Sequence, residues 1–479
     1  MFEDFRGFIN RLDEVGELEI VTGADWNLEI GTITELMALR RGPALLFDEI
    51  KGYPKGFRIA TDVVQTPKRL KIASGIPEDT PDLEVVRQWK DQFNAFKPVP
   101  TVDVPTGPIM ENSMTGDDID ILKFPVPQWH ELDGGRYIGT GVVTITRDPD
   151  TGYINCGTYR VMVQDEKTLS FYASPGKHAT MIREKYWAKG EDCPVVMCFG
   201  QDLSLYYLSG MEIPWGISEL ELAGFMRGKP IEVVKGKVTG LPIPSGAELA
   251  IEGFSPPKET DSRQEGPFGE WTGYYGSGAR TEPIVNLKAV YYRDEPIIHG
   301  QPPLKPPAFS WWPIPTHTAS RLWNLLDALR IPGIRGVYVH GPGLRIVSVI
   351  SIKQMHLGHA QQVGFLAASL LSGGSCNGRY AIVVDDDIDP SDWGEVMWAV
   401  TTRCDPERGI QIIKGLLTSP LDPSLYPDKR EAGDFTTAKV VINACRPYHW
   451  MKDFPPVHTS TEAQREAVIK KWPDLFGKY

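Results

Sequence analysis

Apolar residues recur at helical spacing where the chain opens: Phe2, Phe5, Phe8, Ile9 and Leu12 fall on one face between residues 2 and 14. A second helical pattern runs from about Leu28 to Leu39 and leads into the strand-like run ALLFDEI, so the opening reads as a small α/β unit. The proline-rich stretch Phe96 to Ile109 (FKPVPTVDVPTGPI) interrupts this periodicity and marks a boundary. From about Ile121 to Gly300 the period shortens to two. Runs such as GVVTITRD, YRVMVQD, TLSFYAS, IEVVKGKV, ELAIEGF and NLKAVYY are separated by turn residues, which predicts a β-rich domain, a barrel or curled sheet. Two helices interrupt it, one after Pro175 and one around Ile217 to Met226, and a second proline-rich segment, Gln301 to Pro315, closes it. Beyond Thr316 helices and strands alternate: a helix near Ala319 to Leu329, strands VYVH and IVSVISI, a helix near His359 to Leu371, the strand AIVVDDD and a helix near Trp393 to Thr402. This is an α/β layer pattern. The terminal STEAQREAVIKKW predicts a charged amphipathic helix, suited to a domain surface or a subunit interface. The expected fold class is therefore α/β (α+β), with an N-terminal α/β domain over 1–110, a β-barrel domain over 111–315 and a C-terminal α/β domain over 316–479.

Composition narrows the function. The chain has 479 residues with 41% hydrophobic and 23% charged, which fits two or three globular domains. Its formal charge of −12 disfavours a nucleic-acid partner, because phosphate binding needs a basic surface. The six cysteines show no CxxC pair or zinc-ribbon spacing, so buried free thiols are expected. The start, MFEDFRGFINRLDE, carries acids where a signal peptide carries Lys or Arg, and no apolar run reaches the length of a membrane span. A soluble, cytoplasmic protein without a membrane partner is the expectation.

Three separated pieces of the β-rich region carry candidate chemistry: NCGTYR (Asn155 to Arg160), SPGKH (Ser174 to His178) and SELELAG (Ser218 to Gly224), followed by QEGPFGEWTGYYG (Gln264 to Gly276). An Asn amide oxygen, a His imidazole and a Glu carboxylate form a mixed donor set suited to Mn²⁺ or Mg²⁺, although each residue alone is equally an ordinary hydrogen-bonding group. EGPFGE places Glu265 and Glu270 around a Gly-Pro-aromatic-Gly turn that can aim two carboxylates into one cavity. Beside a partly buried Arg160, one carboxylate would stay ionised and the other would carry a proton at raised pKa; the competing reading is a polar turn with two solvated acids. The run Asp385, Asp386, Asp387 ends a buried strand, either as a ligand site or as a loop of solvated acids.

Taken together these pieces resemble the UbiD-like family of decarboxylases, which use prenylated FMN. The resemblance rests on NCGTYR, the GKH step, SELELAG followed by RGKPIEVVKG, EGPFGEWTGYY, GHAQQ, VVDDDIDPSDWGEVMWAVTTRCDP, and LDPS ahead of a late lysine, in one order along nearly the whole chain. It implies that the central domain is a split β-barrel binding the flavin and that the C-terminal domain mediates oligomerisation, giving a homodimer or higher homo-oligomer. It implies Asn155, His178 and Glu219 as Mn²⁺ ligands bridging to the cofactor phosphate, with Lys439 in TTAKVVINAC as the late lysine that meets that phosphate. Arg160, Glu265 and Glu270 are implied as the catalytic set, and a K⁺ near the phosphate would draw on Glu219. Lys177, just before the metal His, borders cofactor and substrate, and Trp271 borders the substrate pocket; a solvated Lys177 is the equal alternative.

The implied reaction is reversible, non-oxidative decarboxylation of an aromatic, hydroxylated or heteroaromatic carboxylic acid, with CO₂ as co-product and a separate flavin prenyltransferase supplying the cofactor. Arg160 would fork the substrate carboxylate, Glu265 would orient Arg160, and Glu270 would deliver the proton that replaces CO₂. Trp271, Trp311 and Trp312 offer flat walls for an aromatic ring, although each is equally an ordinary core residue, and Arg345 in HGPGLRIV, with Lys177, would read a ring hydroxyl or second carboxylate, as basic residues near these positions resemble those of the dihydroxybenzoate branch. Three alternatives stay open: an acrylic or polyprenyl-hydroxybenzoate-type substrate, a non-catalytic flavin-binding subunit of a larger carboxylase, and a flavin-free metal-dependent hydrolase.

Overall fold

A computed structural model describes residues 2–276, 278–308, 313–340, 346–371 and 378–476. The first helix, Phe5–Glu14, starts where the Asp4 carboxylate accepts from the Gly7 amide at 2.8 Å, and it buries Phe5, Phe8, Ile9 and Leu12 as their spacing requires. Beside it, strand Leu18–Thr22 runs parallel to Ala44–Asp48, which pairs antiparallel with Arg58–Thr61. The fourth strand of this sheet comes from far along the chain: Ile297–Gly300 lies parallel to Arg58–Thr61. Two helices not singled out by the hydrophobic pattern, Pro67–Ser74 and Asp82–Asn94, follow. The second buries Val85, Val86 and Trp89 and packs against the C-terminal helix Pro313–Ala328.

The central region forms a ten-stranded curled sheet. Its spine is the 13-residue strand Arg280–Tyr292, which pairs along its length with Thr168–Ser170, Leu249–Ser255, Ser262–Glu265 and Asn112–Thr115. A strand that serves so many neighbours cannot stay flat, and twist curls the sheet into a half-barrel. The two expected inserted helices are His178–Ala188 and Glu219–Arg227. A third, Leu203–Ser209, is buried on every side; without a polar face it leaves no helical period to read. The proline-rich stretch before this region is not a free linker, because its Val102–Asp103 pairs parallel with Glu232–Lys235.

The C-terminal region is a five-stranded sheet in the order Ile334–Val339, Val347–Ile352, Tyr380–Asp385, Thr436–Ala444, Ile410–Leu417, parallel in the middle and antiparallel at both edges. Its first helix starts at Pro313, earlier than the expected Ala319, since Pro313 and Pro315 occupy the first turn, where a missing N–H costs nothing. Asp385 is 1% exposed and pairs with Arg403 at 3.2 Å and Arg446 at 3.1 Å, while Asp387 pairs with Arg403 at 2.8 Å. Asp385 is therefore neutralised from within the fold and neither solvated nor waiting for a ligand, whereas Asp387 is ion-paired but exposed and Asp386 is exposed. Among the described residues no helix is long and apolar enough to cross a membrane.

Candidate active site

Strand Ile154–Gly157 is the last strand of the curled sheet, paired with Val142–Arg147, and carries Asn155 into a buried position. Helix Glu219–Arg227 starts against it. The Asn155 Nδ2 donates to Glu219 Oε1 at 3.3 Å and the Cys156 amide donates to Oε2 at 2.7 Å. From the other side the Tyr159 hydroxyl donates to Asn155 Oδ1 at 3.3 Å. Glu219 is 3% exposed and forms no ion pair among the described residues; burial pushes its carboxyl up to about 8, against the pull of these neutral donors. His178 opens the other inserted helix, with Nδ1 3.3 Å from the Tyr153 hydroxyl. Burial, and then the Lys177 charge, lower its pKa, so the ring is neutral and keeps a lone pair for a ligand.

The second group is built on Arg160. Its Nη2 donates to Glu265 Oε2 at 2.7 Å and its Nη1 to Glu270 Oε1 at 3.0 Å. The guanidinium also lies over Tyr172, 4.5 Å from the ring centre, and 5.5 Å from that of Phe268. Burial lowers its pKa, but the charges of Glu265 and then Glu270 outweigh this, and the net shift is upward. Glu265 ends strand Ser262–Glu265 with a fully buried side chain; Glu270 follows the Gly-Pro turn with 13% of its side chain exposed. The turn sits close to its neighbour: a Cβ at Gly134 would lie 2.0 Å from the Gly266 carbonyl oxygen, so residue 134 has to be glycine.

Both groups line one cavity of about 520 Å³, which also takes in Lys177, Glu212, Phe268, Trp271 and Leu421. The structure thus brings together Asn155, Arg160, Lys177, His178, Glu219, Glu270 and Trp271, with Glu265 directly behind Arg160. Lys439 is not brought there: its ammonium donates to the Ala368 and Leu371 carbonyls at 2.8 and 3.0 Å, at the end of helix His359–Leu370, where unpaired carbonyls attract a cation. Arg345, Trp311 and Trp312 lie outside the described residues. Sequence reasoning missed four residues. Tyr137 donates its hydroxyl to Glu265 Oε1 at 2.9 Å, Tyr159 holds Asn155, Glu212 pairs with Arg321 at 2.5 Å, and Leu421 lines the cavity. Two of these, Tyr159 inside NCGTYR and Leu421 at the head of LDPS, stood within quoted motifs, while Tyr137 and Glu212 carried no signal.

Three domain families match the chain in order: the 3-octaprenyl-4-hydroxybenzoate carboxy-lyase N-terminal domain over residues 9–89, the Rift-related domain over 101–306 and the C-terminal domain over 314–444. A pyrrole-2-carboxylic acid decarboxylase of Pseudomonas aeruginosa is 30% identical, covering 99% of this chain and 98% of that protein. The chain belongs to the UbiD family. A phenolic acid decarboxylase of Bacillus subtilis is 32% identical over 93% of each protein. Among solved UbiD-class structures, an evolved dimeric form of HmfF from Pelotomaculum thermopropionicum in complex with prFMN superposes with a TM-score of 0.81 at 26% identity, covering 97% of this chain and 98% of that one.

The residues of this UbiD protein fit a divalent ion. Among the described residues no three His, Cys, Asp or Glu side chains cluster, so a metal here would rest on Glu219, His178 and the Asn155 amide oxygen, completed by further oxygen donors. Glu219 supplies the reason to bind one, a buried carboxylate with no cation beside it among the described residues. Neither helix at the site has a side-chain cap at Lys177 or Ser218, although the Ala179 amide already donates to the Tyr159 hydroxyl at 3.3 Å; helix N-termini of this kind suit an anion.

Proposed function

We propose that this UbiD-family protein catalyses the reversible, non-oxidative decarboxylation of an aromatic or heteroaromatic carboxylic acid with prenylated FMN. The observation that carries the reading is one guanidinium, Arg160, held between Glu265 and Glu270 on a cavity that also carries Asn155, His178 and Glu219. Loss of CO₂ from an sp² carbon leaves an electron pair that no side chain accepts, and prenylated FMN, when bound, supplies the electron sink. The protein's own residues do the rest. Arg160 fixes the substrate carboxylate, and for this its Nη1 must let go of Glu270. Protonation of Glu270 achieves both ends: it weakens that bond and loads the proton that the product carbon then takes up. Glu265, buried behind, keeps the guanidinium in place. Phe268, Trp271 and Leu421 give apolar walls that suit a ring and exclude water.

Asn155, His178 and Glu219 would hold Mn²⁺ against the cofactor phosphate, with K⁺ beside Glu219 and Lys177 meeting either the phosphate or a polar ring substituent. Lys439 stays outside this set. On this reading the domains run over 1–110, 111–315 and 316–479, the middle one binding the flavin. A flavin prenyltransferase supplies the cofactor, and the five described cysteines, all free, suit the reducing cytoplasm. Homo-oligomerisation is supported by the C-terminal region, which exposes Trp393, Trp398, Ile412, Trp450, Trp472 and Leu475.

The test is turnover by protein co-expressed with a flavin prenyltransferase, measured as CO₂ release from a panel of aryl, heteroaryl and acrylic acids. Release from ring acids is expected. Release from acrylic acids alone overturns the substrate class, and full turnover by protein shown by mass spectrometry to carry no flavin overturns the reaction. Glu270→Gln should retain flavin while losing about 10² to 10⁴-fold in turnover. It should also stop exchanging the product's ring hydrogen with D₂O; exchange at the wild-type rate moves the proton role to Glu265.

A further inference from the structure

Three charges share the Arg160 site, two carboxylates and one guanidinium, and the substrate brings a third carboxylate. Buried charge of that sign is not tolerated without a proton. The chemistry requires that proton on Glu270, so something must keep it off Glu265, which binds the same guanidinium at the shorter distance of 2.7 Å. Tyr137 meets the need. It lies on strand Tyr137–Gly139, where it pairs with Met162 two residues beyond Arg160, and its side chain is fully buried. Its ring packs on Phe268 with centres 4.1 Å apart, its carbonyl accepts from Trp129 Nε1 at 3.0 Å, and its hydroxyl donates to Glu265 Oε1 at 2.9 Å. Clamped at both ends, this phenol has Glu265 as its closer acceptor, with the Pro267 carbonyl at 3.4 Å as the longer alternative.

We infer that Tyr137 is a positioning residue that confines negative charge to Glu265 and so leaves the exchangeable proton to Glu270; the inference rests on the decarboxylase reading above. Burial, and then the Glu265 charge, push the phenol far above its ordinary pKa, so it stays a donor at any working pH. Arg160 and Asp133 also act on the Tyr137 phenol, the first lowering and the second raising its pKa, and Glu282 nearby is raised by burial and by the Glu265 charge against the pull of Arg280 and Lys258.

Tyr137→Phe tests this, because it keeps the ring against Phe268 and removes only the donor. In the loaded enzyme, flavin and metal content should stay at wild-type levels and KM should change little. The kcat should fall about 10-fold to 100-fold, the range for one hydrogen bond to a buried charge, and the alkaline limb of its pH profile should move up as the carboxylate pair holds its proton more tightly. Infrared difference spectra on binding benzoate read the proton without turnover. Glu270→Gln alone should lack the protonated-carboxyl band, and Tyr137→Phe/Glu270→Gln should regain it as Glu265 takes the proton. A Tyr137→Phe enzyme with wild-type kcat and pH profile, or a double variant still lacking the band, overturns the inference. Absence of CO₂ release by the wild type would instead overturn the decarboxylase reading, while the infrared comparison would still decide the role of Tyr137.

Discussion

Arg160→Lys keeps the charge and removes the fork, which makes it the most discriminating replacement at this site. Arg160 reaches Glu265 from Nη2 at 2.7 Å and Glu270 from Nη1 at 3.0 Å. A single ammonium on a flexible stem cannot span two carboxylates that approach different nitrogens of a rigid plane. Each charge-assisted bond contributes roughly 1.5 to 3 kcal/mol, so losing one destabilises the fold by about 2 kcal/mol, and more if the buried Glu265 is the one abandoned. Turnover should suffer further, because Lys also cannot hold the substrate carboxylate by two parallel bonds; a loss of about 10³-fold corresponds to roughly 4 kcal/mol of transition-state stabilisation. The assay pairs kcat of flavin-loaded protein with thermal unfolding by circular dichroism. Arg160→Lys/Glu270→Gln is the control: with one carboxylate gone, a lysine suffices for Glu265, so stability should recover while activity does not. Retention of more than a tenth of wild-type kcat by Arg160→Lys, or a double variant no more stable than the single one, would refute the bridging argument.

His178→Ala should lose Mn²⁺ and flavin together, measured by metal analysis and flavin absorbance; stoichiometric flavin without metal would contradict a metal bridge to the phosphate. Asp62 is fully buried, neither carboxylate oxygen has a hydrogen-bond partner among the described residues, and burial raises its pKa from 3.8 to about 7. The folded chain therefore holds a proton that the unfolded chain releases, and stability from this group is lost as pH rises from about 4 to 7. Asp62→Asn keeps the shape and suits the positive φ of 58°; its advantage in urea unfolding should be near zero at pH 4 and grow to at most about 4 kcal/mol above pH 7. A pH-independent difference would show that Asp62 does not titrate in this range. Residues 455–476 are exposed throughout, and helix Glu462–Lys471 buries no side chain although Val468, Ile469, Trp472, Leu475 and Phe476 form an apolar stripe. Truncation after Phe454 should lower the mass measured by light scattering toward that of a single chain, and an unchanged mass would remove this segment from the interface.

Local pattern by itself determined where most elements lie. The period of Phe5, Phe8, Ile9 and Leu12 is a helix wherever it is placed, and the alternation of GVVTITRD or NLKAVYY is a strand, because side-chain direction repeats with 3.6 or 2 residues whatever the surroundings. It failed at Leu203–Ser209, where burial on all sides erases the polar half of the pattern. The candidate site was legible in the same partial way. NCGTYR, GKH, SELELAG and EGPFGE name the residue types, and the resemblance they carry supplied their roles, but spacing along the chain holds no information about distance across a sheet. Only the tertiary structure set Arg160 between Glu265 and Glu270, 105 and 110 residues away. It also decided the positions that carry no motif. Tyr137 matters because antiparallel pairing sets its strand beside that of Met162, and Lys439 leaves the site because its strand delivers it to the end of helix His359–Leu370. A tyrosine in RYIGTG and a lysine in TTAKVV look alike in sequence, as ordinary strand residues; which one reaches the chemistry depends on sheet order, a property of long-range hydrogen bonding that no local window contains.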